Sequence, residues 1–242
     1  MSRSAPTIAV QGRVDLDGQA LVATLDFAVP AGQWTCLLGA SGVGKTTLLR
    51  LIAGIEDNAT LAGRITASDG GALPGRIALM AQDDLLMPWL SVRDNVMLGA
   101  RLRAERPDTA RADEVLGRVG LSGHAQKRPE TLSGGERQRA ALARTLMEDR
   151  PVVLLDEPFS ALDARIRAQM QDLAFAHLAG RTVLMVTHDP AEAVRLGDQV
   201  LLLGPEGCHA VPLPRAAPPR PVDDPETLAA QGALLARLMA AA

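Results

Sequence analysis

Residues 39–46 read Gly39-Ala40-Ser41-Gly42-Val43-Gly44-Lys45-Thr46, with Thr47-Leu48-Leu49 behind them. No other stretch limits the possible folds so tightly. The pattern is that of a phosphate-binding loop, which works only between a strand and a helix. Both neighbours fit: Trp34-Thr35-Cys36-Leu37-Leu38 reads as a buried parallel strand, and the run to Ala53 as a helix stopped by Gly54. Small residues let the backbone wrap a polyphosphate, with successive N–H groups and the helix N-terminus aimed at its oxygens. Lys45 supplies a cation for the β- and γ-phosphates, and the Thr46 hydroxyl is placed to ligate Mg²⁺.

The remaining pattern predicts an α/β protein. Residues 7–10 and 21–29, where Leu25, Phe27 and Val29 alternate, lead into the loop as strands, and 63–67 and 76–80 read as two more. Residues 58–75 are loosely patterned, which leaves the register of that strand open. From 83 to about 134 helical periodicity takes over, with Ser91 placed to cap a helix to 102 and Asp108 another to 119: an inserted helical subdomain. A helix over 135–148 then precedes Val152-Val153-Leu154-Leu155, apolar without interruption, as a strand covered on both faces must be. A helix over 161–178 and strands at 182–186 and 199–203 complete a parallel sheet. Beyond Gly204 six prolines, at 205, 212, 214, 218, 219 and 221, predict a stiff linker, and Asp224-Pro225 opens a short last helix. The domain boundary is therefore expected at 204, with residues 1–204 as a nucleotide-binding domain and 205–242 as linker and helix.

Composition narrows the partners. A net charge of −3 with 22% charged residues leaves no basic footprint for nucleic acid. Cys36 and Cys208 have no metal-type spacing, so free thiols in a reducing compartment are expected. No apolar run approaches the roughly 20 residues that span a bilayer, and residues 1–10 lack a signal peptide's apolar core. A cytosolic chain is expected, unless a partner holds it at a membrane.

Further chemistry sits at strand ends and helix starts. Asp156-Glu157 ends the 152–155 strand, where open α/β sheets place their ligands: Asp156 is suited to Mg²⁺, and Glu157 to polarising an attacking water. Ser133-Gly134-Gly135-Glu136 opens a helix as a second anion-binding N-terminus. With one triphosphate, a single chain has no evident use for two such sites.

On these residues the chain resembles the nucleotide-binding subunits of ABC transporters, over about residues 7–204. The resemblance implies a P-loop NTPase (RecA-like) core with an antiparallel β-subdomain and the helical subdomain already noted, at about 83–134. It implies ATP and Mg²⁺ as ligands, and a head-to-tail pair in which Ser133 and Gly135 of one copy cap the γ-phosphate held by the other's Lys45. Gln82 falls at the family's Q-loop, reaching Mg²⁺ and the water. His188 falls at its switch position on the γ-phosphate, and Asp163 in its D-loop across the dimer interface. His124, His177 and His209 match nothing and are expected to be solvated. The family's adenine-stacking aromatic ring is absent: the chain has no Tyr, and the register puts Leu16 near that position.

Leu85-Leu86-Met87-Pro88-Trp89-Leu90-Ser91-Val92-Arg93-Asp94-Asn95-Val96 is similar to the importer branch that handles nitrate, sulfonates, taurine and pyrimidine thiamine precursors. In that family the region receives a coupling helix of the membrane permease, so Leu86, Met87 and Trp89 are expected to contact it. A subunit on the cytoplasmic face of the inner membrane, fed indirectly by a periplasmic solute-binding protein, follows from the resemblance. Soluble ABC ATPases of DNA repair or translation share the motifs, but they need a long coiled coil or two fused cassettes. An exporter's detached cassette differs mainly in its membrane partner.

Overall fold

The structure is a computed structural model that describes residues 5–240; the first four residues of the expected 1–204 domain lie outside it. Two compact units emerge. The first runs up to Ile77, takes in Arg150–Asp156, and resumes at Ala179.

In this unit β1 (Ile8–Leu16), β2 (Gln19–Val29) and β4 (Ala59–Ala67) form an antiparallel sheet ordered β2-β1-β4. Asp17 and Gly18, both at positive φ (50° and 78°), make the two-residue turn between β1 and β2 that suits strand twist. Despite its loose composition, β4 pairs with β1 without a break, from Ile8 opposite Ala67 to Leu16 opposite Ala59.

A second sheet runs β6 (Val152–Asp156), β7 (Thr182–Val186), β3 (Trp34–Leu38), β8 (Gln199–Gly204) and β9 (Gly207–Val211). Ile77, the last residue of this unit's first segment, begins β5 (Ile77–Met80), the rest of which belongs to the second unit. The pairs β6–β7, β7–β3 and β3–β8 are parallel. Every residue of β3, β6 and β7 is buried, as their uninterrupted apolar runs require. Helix α1 (Lys45–Ala53) packs on β4 and β6, α7 (Pro190–Leu196) on β3, and α8 (Pro225–Ala240) on α7. Phe27 and Trp34 are core residues, as expected.

Two elements depart from the sequence expectations. Residues 205–211, read as the start of a linker, instead turn at Pro205-Glu206 and return as β9, antiparallel to β8. Helix α7 was not anticipated between the strands at 182–186 and 199–203; its signals were the N-cap Asp189 and Pro190 at the first helical position.

The second unit comprises Ala78–Asp149 and Glu157–Leu178, and so takes in the helices on either side of β6 as well as residues 83–134. It contains α2 (Val92–Val96), α3 (Leu98–Leu102), α4 (Thr109–Arg118), α5 (Gly134–Met147) and α6 (Ala164–His177). Their apolar faces meet around α5: Val92, Val96, Ala112, Leu116, Leu142 and Leu146 are all buried. Ser91 and Asp108 cap α2 and α4, each side chain accepting a backbone N–H three residues on. The single helix expected over 91–102 is instead broken at Met97 into α2 and α3. Among the described residues no helix is long and apolar enough to cross a membrane.

Candidate nucleotide site

The first unit carries the phosphate loop. Between β3 and α1 the backbone turns through Gly42 and Gly44, both at positive φ (79° and 101°), and Gly44 serves as N-cap of α1 without any side-chain cap. The helix's first N–H groups are therefore presented past Gly44 rather than consumed by a capping side chain. Gly39 is required by crowding: a Cβ there would lie 2.5 Å from Leu203 O. Lys45, 9% exposed, donates from Nζ to Gly39 O and Ala40 O, both at 2.9 Å, so its ammonium is held over its own loop. Thr46 and Thr47 follow on the first turn of α1, half-buried, while Ala40 and Ser41 are exposed at the loop tip beside Gly42 and half-buried Val43. The loop is thus a cradle of small residues, backbone donors and one cation, which fits a polyphosphate.

Asp156, buried, ends β6 in the same unit. His188 stands exposed beyond the buried strand β7, just ahead of α7. The residue nearest the loop's final turn was missed by sequence reasoning: a Cβ on Gly44 would come within 2.7 Å of Leu21 Cδ2. Leu16, the expected base contact, ends β1 opposite Gln19 and Ala59.

The second unit begins its returning segment at Glu157, held at φ 49°, a left-handed conformation that a non-glycine residue adopts only when its surroundings impose it. Here the turn is held by the Ser160 hydroxyl, which donates to Glu157 O (3.1 Å), and by Gln138, buried on α5. Its Nε2 donates to Glu157 O (2.9 Å) and Ser160 Oγ (3.2 Å), while its Oε1 accepts the Ala161 N–H (2.8 Å). Asp163, two residues further, N-caps α6 by accepting the Arg165 and Ile166 N–H groups.

Gln82 is exposed after β5. The loop behind it is tied down from α5: Arg144 donates to Asp84 O (2.7 Å) and Leu85 O (2.8 Å), and Arg137 to the Asp84 carboxylate (3.0 Å). Burial of Arg144 lowers its pKa from the ordinary guanidinium value. Fully buried Asn95 holds the next stretch, accepting the Met87 N–H at 2.7 Å and donating to Met87 O and Ser91 O, both at 3.1 Å. On that scaffold Trp89 is 67% exposed and Met87 half-buried. Leu86, expected to contact the permease, departs from that expectation: its side chain is buried and Leu85 is the exposed neighbour.

Ser133 and Glu136 close a reciprocal capping box at the start of α5. Ser133 Oγ accepts the Glu136 N–H, and the Ser133 N–H donates to Glu136 Oε2 at 2.7 Å, with Gly134 and Gly135 opening the helix between them. The Ser133 N–H bond in turn holds the Glu136 carboxyl below its usual pKa. His124 and His177 are not simply solvated: the first lies 3.1 Å from Glu136 Oε1, the second 3.1 Å from Leu146 O. His209 is exposed on β9. Both thiols are free; burial raises Cys36 and pushes Cys208 up to about 12.

Among the described residues no cluster of three or more His, Cys, Asp or Glu side chains forms a ready metal cage. Mg²⁺ rarely needs one, being held by one or two protein oxygens plus substrate phosphates, and in the first unit the Thr46 hydroxyl and the Asp156 carboxylate are hard donors of that kind. A cavity of about 460 Å³ lined by Pro6, Ser68, Asp69 and Arg76 shares no residue with these groups, and its guanidinium is already bound to Asp69.

Residues 22–160 match the family model described as ABC transporter. An uncharacterized ABC transporter ATP-binding protein of Haemophilus influenzae is 44% identical, over 92% of this chain and 94% of the relative. An aliphatic sulfonates import ATP-binding protein of Rhodococcus jostii is 48% identical, over 80% and 78%. A solved dimeric structure of a bacterial ABC transporter cassette superposes with a TM-score of 0.73 at 25% identity, covering 88% of this chain and 99% of that one. With the phosphate loop, the acidic strand end and the Ser133-Gly134-Gly135-Glu136 helix start in one α/β chain, these likenesses show that the protein belongs to the ABC transporter family.

Proposed function

We propose that this chain is the ATP-hydrolysing subunit of a bacterial importer for small sulfonates or chemically related solutes. The observation that carries the ATPase reading is the glycine-walled loop that leads into α1's uncapped N-terminus and holds the Lys45 ammonium on the Gly39 and Ala40 carbonyls. The name of the Rhodococcus jostii relative, an aliphatic sulfonates import protein, supports the solute class.

In this reading Gly39, Ala40, Ser41, Gly42, Val43, Gly44, Lys45, Thr46 and Thr47 hold the triphosphate. Thr46, Asp156 and Gln82 would hold Mg²⁺, which when bound offsets charge on the β- and γ-phosphates. Glu157 takes the proton of the attacking water as the water oxygen bonds to the γ-phosphorus and the bond to the bridging oxygen breaks, releasing ADP and phosphate. The left-handed turn at Glu157, held with the help of Gln138, gives that carboxylate a defined station directly after Asp156 in the chain. His188 contacts the γ-phosphate.

Ser133, Gly134, Gly135 and Glu136 complete the site of a second copy, with Asp163 in the same interface; the dimeric cassette among the solved structures supports such pairing. Trp89 and Met87, displayed by the Asn95 clamp, dock the membrane permease, which receives solute from an external binding protein. The chain then sits peripherally on the cytoplasmic face of the membrane.

Glu157→Gln tests the chemistry. It should keep ATP affinity but lose about 10²- to 10⁴-fold in turnover, and the unhydrolysed ATP should hold a dimer visible by light scattering. A monomeric variant hydrolysing at the wild-type rate would sink the assignment.

A further inference from the structure

Helix α7 has only seven residues, too few to be stable by itself, so its place depends on what holds its ends. At the N-terminal end Asp189 accepts the Ala191 N–H (2.8 Å) and donates its own N–H to Thr187 Oγ1 (3.1 Å). The Thr187 hydroxyl donates to Glu192 Oε2 (2.7 Å), and both residues are buried. These bonds bracket His188.

The C-terminal end is held from the tail. Arg220, only 3% exposed, donates from Nη1 to Val194 O (2.6 Å) and Gly197 O (2.8 Å), and its backbone N–H donates to Arg195 O (2.9 Å). One residue thus serves three carbonyls at the end of α7, where no intrahelical donors remain. Its Nη2 lies 3.4 Å from Pro214 O, which ties the guanidinium back to the proline-rich stretch that delivers it. Helix α8 then returns to pack on α7, burying Thr227 and Leu234.

We propose that residues 212–240 brace α7, and that Arg220 is a positioning residue for ATP hydrolysis, acting through α7 on His188. The proposal rests on the reading of His188 as the γ-phosphate contact. Nη1 meets two carbonyls while Nη2 of the same rigid plane reaches Pro214 O; an ammonium could replace the Nη1 bonds but has no second nitrogen to keep the tie to the proline-rich stretch. Removing it deprives buried carbonyls of charged donors and lets the short helix shift. A displacement of about 1 Å at a reacting group can cost up to about 10²-fold in rate. The phosphate loop has its own glycines and Lys45, so nucleotide binding does not pass through this brace.

The test uses full-length protein with Mg²⁺ and ATP, comparing wild type, Arg220→Ala, Arg220→Lys, His188→Ala and the Arg220→Ala/His188→Ala double variant. Melting temperature, ATP affinity and kcat are measured for each. Arg220→Ala should lose about tenfold in kcat with ATP affinity within about twofold, and Arg220→Lys should fall between it and wild type. In the His188→Ala background, Arg220→Ala should change kcat by less than about twofold, because the group it positions is gone. A folded Arg220→Ala protein with wild-type kcat overturns the brace, and so do losses that multiply in the double variant. If Arg220→Ala does not fold, Arg220→Lys decides: lowered kcat at unchanged affinity supports the brace, and no change or parallel losses overturn it. A wild-type rate for His188→Ala overturns instead the reading of His188 on which the brace depends.

Discussion

The phosphate loop and the Glu157 turn both hold backbone in a conformation that chains avoid, and they do so by opposite means. At 39–45 the loop does it with its own residues, through glycines that permit positive φ or close approach and a lysine whose ammonium donates to the Gly39 and Ala40 carbonyls. At 157–161 there is no glycine, and the local sequence contributes the Ser160 hydroxyl and N–H, both donating to Glu157 O. A non-glycine residue at φ 49° is held there with the help of a buried amide from another helix, Gln138. The first kind of site is specified by residues inside it; the second depends on residues outside it. The two should therefore fail differently.

Breaking the loop should cost binding first, and by the larger factor. In Gly39→Ala the new methyl meets Leu203 O at 2.5 Å and Val43 Cγ1 at 2.9 Å, and a backbone carbonyl of β8 cannot step aside cheaply. Overpacking of this kind costs about 1–3 kcal/mol. If the loop escapes by leaving its phosphate-wrapping shape, ATP affinity falls by up to about 10²-fold. Titration calorimetry on the folded variant checks this, and unchanged affinity would show that the loop's shape does not depend on Gly39.

The clamp should cost rate instead. Gln138→Ala removes two donated bonds and one accepted bond from the 157–161 turn and leaves the residues of the phosphate loop unchanged. Its expected signature is a kcat about tenfold lower at unchanged ATP affinity, since the base is retained but no longer held. Equal losses in kcat and affinity would mean that Gln138 supports the unit as a whole, and the contrast between the two sites would collapse.

The same contrast explains what could be read from the residues alone. Features specified locally were legible: the loop glycines, the apolar runs of β3, β6 and β7, and the caps Ser91 and Asp108. Features specified at a distance were not. Gln138, Asn95 and Arg144 look like ordinary polar helix residues until their partners, more than four positions away in most cases, are known. Helix α7 is too short for its periodicity to register, and β9 was hidden among prolines that predict a linker. Leu86 and Leu85 are adjacent and alike in chemistry, so only the positive φ at Leu85 (46°) and the bonds from Arg144 decide which is exposed.

The smallest effect concerns the adenine ring, for which neither kind of site is evident. Leu16 was expected near the base, but it ends β1 half-buried, facing Gln19 and Ala59 across the ladder. Leu21, on β2, instead lies over Gly44, the residue that opens α1. A leucine there offers apolar contact to a base leaving the loop, at about 25 cal/mol per Å² covered. Losing some 40 Å² would cost roughly 1 kcal/mol, or about fivefold in affinity. Leu21→Ala should therefore weaken ATP by about three- to fivefold, with Leu16→Ala below twofold. A ring introduced by Leu16→Tyr should tighten ATP by roughly tenfold if the base reaches the β1–β2 hairpin, since stacking is worth about 1–3 kcal/mol. Titration calorimetry with Mg²⁺ present separates these cases. If Leu21→Ala is silent and Leu16→Tyr tightens, the base lies along the hairpin rather than over Gly44. Equal affinities in all the variants would place it on a different part of the chain.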